Sequence, residues 1–295
     1  MIVLNTSLAK SGCSRDAVFI FILKLFKKNF IVFFHGWNKE YEEKVELNSG
    51  FNKFPLNQFK KASSVVVLAK DFKSKLESWG FKQEIYLGRT VVEDNLVKGF
   101  KNPILKFKDD SIFTFIFLAR LEKSKGIIEA IQVFREIQKR NSSKKFQFKI
   151  GGEGGFFQEA KIYVADNGIP GVFFLGHVDG LVKRQLLEEG HFLLFPSYSE
   201  GMPLSVLEAM AFGLPCMVTA VGGLKDFFVD KKMGVLLDNL DIEKAAESVN
   251  SIINDLQLLT DISTTNFYFA QEHFLASHIA ESLKELILTV YNRGT

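Results

Sequence analysis

Residues 191–223, HFLLFPSYSEGMPLSVLEAMAFGLPCMVTAVGG, permit few folds. A short apolar run, His191 to Phe195, stops at Pro196, as a buried strand does when a turn follows. Pro203 stands where the first residue of a helix tolerates a missing N–H, just after Gly201. Gly213 and Pro215 end that helix, and Cys216 to Thr219 reads as the next strand, closed by Gly222 and Gly223. So compact a strand, helix and strand closes as a parallel crossover. Between Met202 and Cys216 only Ser205 and Glu208 are polar. A buried carboxylate without a partner costs several kcal/mol, so Glu208 either has a partner or faces water.

The same alternation runs along the chain. Strands are predicted at 1–4, 30–34, 62–68 and 84–87, then at 112–118, 146–150, 172–175 and 234–237. Helices are predicted at 16–28, 71–80, 126–140, 156–167, 182–189, 224–229, 242–259 and 274–291. Residues 38–61 are charged and read as a solvated helix and loop; 93–110 lacks a period and reads as a linker. The fold class is α/β, with two Rossmann-like parallel-sheet domains. Their expected bounds are 1–98 and 111–273, with a linker at 99–110 and a last helix at 274–295.

Composition removes several function classes. Lys and Arg number 37 against 34 acids, a net charge of +3, so no nucleic-acid partner is expected. Cys13 and Cys216 lack CxxC or CxxH company, which argues against zinc and disulfides and for a reducing, cytoplasmic setting. The apolar stretch Ala17 to Phe34 is broken by Lys24, Lys27 and Lys28, so it is no spanning helix. It reads as a helix packed on its own sheet, or as a peripheral contact with anionic lipid on the inner face of a membrane.

Polar motifs recur at strand ends. Arg120 follows 112–118, and the glycine run that includes Gly152 follows 146–150. His177 and Val178 follow 172–175, Glu200 follows 191–195, and Gly222 and Gly223 follow 216–219. In a parallel sheet those ends share one edge, so the motifs are expected to converge on one crevice. Arg120 and Lys125 suit a phosphate group; the alternative is a surface ion pair with Glu122. The turn Gly201-Met202-Pro203-Leu204 opens a helix, and because Pro203 lacks an N–H, Leu204 and Ser205 are the expected donors to an anion. Gly222 and Gly223 let backbone approach a ligand. GGEGG at 151–155 matches neither G-x-G-x-x-G nor a Walker A loop, so a tight turn beside the ligand and plain packing stay equally open. His35, at a strand's C-terminal end, lies where open α/β sheets bind ligands.

Glu200 and Glu208 form E-x7-E within PSYSEGMPLSVLEAMAFGLP. With ARLEKSKG at 119–126, IGGEG at 150–154, FLGHV at 174–178 and VGGLKD at 221–226, the pattern resembles the donor-site signature of the GT-B glycosyltransferases of group 1, or family 4. The resemblance covers roughly 30–295 and is strongest over 112–240. It implies a GT-B fold, with the two domains facing a cleft and the last helix, 274–295, crossing back to the first domain. It also implies a nucleoside-diphosphate sugar as donor substrate, no cofactor, no metal and a retaining reaction. It implies a glycan or lipid-linked acceptor and a place in polysaccharide or glycolipid synthesis. By resemblance, Arg120 and Lys125 neutralise the diphosphate, Glu200 holds the donor sugar, Glu208 holds the ribose, backbone near Val178 meets the base, and His35 faces a sugar. Asp226 stands where the family has Glu. The N-terminal half is short, without the family's opening strand and glycine-rich loop, so the chain is expected to begin partway through that domain. Two other readings stay open: a non-catalytic nucleotide-sugar-binding remnant or half of a split transferase, and another GT-B enzyme such as a sugar-nucleotide epimerase.

Overall fold

The computed structural model describes residues 2–47, 53–108 and 112–293. The N-terminal half is a four-stranded parallel sheet in the order β1-β2-β3-β4: Ile2–Leu8, Phe30–Trp37, Ser64–Val67 and Glu84–Leu87. Between these strands run α1 (Lys10–Leu25), α2 (Lys39–Leu47), α3 (Lys53–Phe59) and α4 (Lys70–Ser78). They cover one face of the sheet, around Val32, Phe34, Phe59 and Val65. On the opposite face, among the described residues, Ile31, Phe33, Val66 and Leu68 form the buried cluster.

The chain crosses by α5 (Asp94–Val97) and a 3-10 turn, Leu105–Lys108. Lys106 Nζ donates to the carbonyls of Leu187 and Phe212, fastening the crossing to two later helix ends. The C-terminal sheet has six parallel strands: β5 (Phe113–Leu118), β6 (Phe146–Gly151), β7 (Val172–Gly176), β8 (Phe192–Phe195), β9 (Cys216–Thr219) and β10 (Gly234–Leu237). Their order is β10-β9-β8-β5-β6-β7. Its helices are α6 (Ile127–Arg140), α7 (Phe157–Asp166), α8 (Gly180–Glu189), α9 (Leu204–Ala211), α10 (Leu224–Phe227), α11 (Ile242–Ile253), α12 (Leu256–His273) and α13 (Ala276–Arg293). In α6 the buried Ala130, Ile131, Phe134 and Ile137 recur at helical spacing. In α9 every residue from Val206 to Ala211 is buried, Glu208 among them. α13 returns to the N-terminal sheet, where Leu283 and Ile287 face Ile31 and Val66 across a cavity.

Several elements differ from expectation. β1 continues to Leu8 and α1 begins at Lys10, because Asp16 is buried inside that helix beside Arg15, 2.7 Å away, and does not cap it. The strand expected at 30–34 runs on to Trp37, so His35 lies within it. The charged stretch 38–61 includes α2 and α3, which bury Tyr41, Val45, Leu56 and Phe59. The linker is partly helical, and Val97 and Phe107 enter the C-terminal core. The linker's expected end at 110 lies outside the described residues. The helix expected over 242–259 is two helices, because Asp255 accepts the Leu258 N–H at 3.0 Å and starts a new one.

Candidate functional site

Strand order reverses between β5 and β8. From β5 the chain moves outward to β6 and β7, then returns on the other side, so the loops after β5 and β8 diverge and open a crevice. These two loops are tied together. Tyr198 N–H donates to Ser124 O at 2.9 Å, and Ser197 Oγ lies 3.1 Å from the same carbonyl. The tie sets Lys125 against Glu200. Nζ is 2.6 Å from Oε1, and Ser197 Oγ donates to that oxygen at 2.7 Å. With only 18% and 9% of the side chains exposed, this pair is shielded enough to matter more than a surface contact. Lys125 therefore pairs with Glu200 and not with Glu122. Arg120, on the same loop, is exposed and has no ion pair among the described residues.

The glycine run holds that loop in place. Leu121 N–H donates to Glu153 O at 2.9 Å, and Phe156 N–H donates to Leu121 O at 2.8 Å. Gly152 has φ +137°, and a Cβ there would collide with the Ala119 carbonyl. This packing fixes the backbone on both sides of Arg120. Gly222 and Gly223, expected to let backbone approach a ligand, pack closely against protein backbone on the side where a Cβ would stand, while Gly222 also lines a cavity between the halves. A Cβ on Gly222 would strike the carbonyls of Glu200 and Gly201, and one on Gly223 the carbonyl of Leu68. A Cβ on Gly201 would lie 2.6 Å from His35 O. The three glycines thus join the donor-side loop to the ends of β2 and β3.

Two further contacts cross the same junction. Thr90 Oγ1 donates to Met202 O at 3.1 Å, and its N–H points to Met202 Sδ at 3.4 Å. Asp226 accepts the Lys70 N–H at 2.8 Å, so the shorter acid caps α4 of the other half.

Pro203 precedes α9 as its cap residue, and ladder bonds begin with Val206 N–H to Pro203 O at 3.1 Å. The N–H groups of Leu204 and Ser205 lie ahead of that ladder, at the positive end of the helix dipole. Glu208, one turn on, is buried, and Lys183 Nζ on α8 donates to its Oε1 at 2.6 Å. Burial pushes the Glu208 carboxyl up from its ordinary value; Lys183 opposes that, and Glu93 adds to it. The Val178 side chain is buried against Gly151, so only its backbone is offered to a ligand.

A cavity of 740 Å³ between the halves is lined by Trp37, Asp71, Ser197, Glu200, Gly222 and Asp238, among others, but not by Arg120, Lys125 or Glu208. The His35 ring is elsewhere. It stacks on Phe33 at 3.9 Å, its Nε2 is 2.9 Å from Asn5 Oδ1, and it lines a separate 350 Å³ cavity with Leu283 and Ile287. Burial lowers its pKa. Strand alternation explains the difference: His35 points with Phe33 and Ile31, opposite to Phe34. Among the described residues, no three His, Cys, Asp or Glu side chains group as a metal site. Sequence reasoning missed Lys183, Ser197, Thr90 and Lys70. The need for a partner to Glu208 was visible, but a lysine 25 positions away carries no local signal.

Known proteins share this fold. The family model "Glycosyl transferases group 1" matches residues 100–266. The capsular polysaccharide biosynthesis glycosyltransferase CapM of Staphylococcus aureus is 24% identical over 225 residues, 75% of this chain and 57% of CapM. Sucrose-phosphate synthase from Thermosynechococcus elongatus superposes with a TM-score of 0.81 at 17% identity, covering 99% of this chain and 74% of the synthase. Anabaena HepE, solved with UDP and glucose, gives 0.76 at 18% identity, covering 97% and 78%. The chain spans little more than half the length of the curated relatives it matches first. Its fold is GT-B, and it belongs to the group 1 glycosyl transferase family.

Proposed function

We propose that the protein is a glycosyltransferase that moves a sugar from a nucleoside-diphosphate sugar to a glycan or lipid-linked acceptor in bacterial polysaccharide synthesis. The observation that carries this is the Lys125–Glu200–Ser197 cluster beside an unpaired Arg120 and the open N-terminus of α9. Arg120 and Lys125, with the Leu204 and Ser205 N–H groups, meet the charge that grows on the departing diphosphate. That balance of charge requires no metal. Glu200, held by two donors, accepts from the donor sugar's hydroxyls and borders the 740 Å³ cavity, where the acceptor enters. Glu208 accepts from the ribose, and backbone at Val178 meets the base. The retaining course follows the family. UDP is the first nucleotide to try, since HepE was solved with it. Calorimetric titration with UDP, GDP and ADP tests the reading; Arg120→Ala is expected to weaken binding at least about tenfold. Unchanged affinity in that variant contradicts it.

The outer face of α1 supports peripheral membrane contact. Val18, Phe19, Phe21, Ile22, Leu25 and Phe26 are 42–69% exposed beside Lys24, Lys27 and Lys28. Such a face suits anionic lipid. No helix among the described residues is long and apolar enough to cross a membrane. Co-sedimentation with phosphatidylglycerol vesicles, but not with neutral ones, is expected; equal behaviour removes the idea. The same exposed face, beside the free edge of β1, also supports a second reading, in which a partner polypeptide completes the sheet and turnover needs it. Sugar transfer by the purified chain alone contradicts that reading.

A further inference from the structure

Glu208 is the acid assigned above to the ribose, and the inference that follows rests on that reading. The carboxylate is buried on an otherwise apolar helix, where the neutral form is favoured. A protonated carboxyl accepts hydrogen bonds poorly and donates one, whereas a ribose diol needs an acceptor for its hydroxyl protons. Two charged groups face it from neighbouring elements. Glu93, which precedes α5, repels a second negative charge. Lys183, in the first turn of α8, donates to Oε1 at 2.6 Å, with 24% of its own side chain exposed. Among the described residues Oε2 has no hydrogen-bond partner, so one oxygen is held and one is left.

We propose that Lys183 is a positioning residue of the donor site: its ammonium fixes one oxygen of Glu208 and keeps the group ionised, leaving the other oxygen to accept from the nucleotide's ribose. Lys183 does not touch the reacting atoms. Its effect falls on donor affinity and on how that affinity depends on pH. The direction follows from the charge state required. Binding needs the carboxylate, so affinity is present above the Glu208 pKa and is lost as pH falls through it. Removing Lys183 withdraws what opposes burial and Glu93, so the loss moves to higher pH.

The test is calorimetric titration of UDP, with GDP and ADP beside it, from about pH 5 to pH 8, on wild type, Lys183→Met, Lys183→Arg and Glu208→Gln. Thermal unfolding at each pH confirms that every variant is folded. Lys183→Met is expected to bind more weakly than wild type at the alkaline end, where the fixed oxygen is lost, and to lose at least about a further tenfold in affinity on acidification, over a range where wild type is level. Lys183→Arg restores the level profile, because guanidinium keeps the charge. Glu208→Gln binds weakly at every pH. If Lys183→Met parallels wild type while Glu208→Gln is weak, the role of Lys183 is overturned and the ribose reading stands. If Glu208→Gln binds as wild type does, the ribose reading falls and this inference with it. Absence of binding by all three nucleotides overturns both.

Discussion

β5 to β10 carry helices on both faces, and Phe115, Ile116 and Phe117 at their centre are fully buried. β1 to β4 bury one face under α1 to α4 and leave the other to four residues beneath part of α13. Among the described residues, nothing covers the outer face of α1 or pairs with the outer edge of β1. This contrast explains why the candidate site is anchored in the C-terminal half. Loops that must hold a lysine on a carboxylate within hydrogen-bond distance need a scaffold that does not shift beneath them. The six-stranded sheet provides that scaffold, and its reversal between β8 and β5 provides the opening. The N-terminal half contributes backbone at His35, Leu68 and Lys70 to the junction.

Mutations that act on one half and not the other test the contrast. The largest effect on stability is expected from Phe115→Ala, at about 3–5 kcal/mol by denaturant unfolding. Phe33→Ala, on the thinly covered face, is expected to cost clearly less; equal costs remove the difference in cover. Next, Arg120→Ala is expected to slow sugar transfer by about 2–4 kcal/mol of activation free energy, read as kcat with UDP-sugar donors. Asp226→Ala removes the cap on α4, at about 1 kcal/mol, and hydrogen exchange at Lys70 to Phe72 is expected to rise while that at Phe115 does not. Last, Phe21→Ser on the exposed face of α1 is expected to change stability by no more than about 0.5 kcal/mol and to reduce vesicle binding. A large loss of stability there would mean that α1 is buried in the working protein.

Where periodicity and punctuation agree, the sequence was readable. Pro196, Gly213 and Pro215 mark β8, α9 and β9 within a residue or two, and the delivery of Arg120, Glu200 and Val178 to one sheet edge follows from strand ends alone. Tertiary packing overrode local signals elsewhere. Charges over 38–61 hide the stripe of Tyr41, Val45, Leu56 and Phe59, because two short helices bury few positions each. The break before Asp255 depends on one side chain capping one N–H. His35 was placed at a strand end but not on a face, and a slip of one residue reverses the face. Gly222 and Gly223 were legible as sites of close approach, but not as approaches of protein to protein. Lys183 is invisible to any local pattern, since it meets Glu208 only once α8 and α9 pack at the same edge.

The most direct test of the central claim is amide hydrogen exchange of the intact protein with and without saturating UDP. Slowed exchange is predicted at 119–126 and at Leu204 to Glu208, where the β5 and β8 loops meet. Protection confined to β1–β4 and α1–α4, with those two segments unchanged, would contradict a donor site built on the C-terminal sheet.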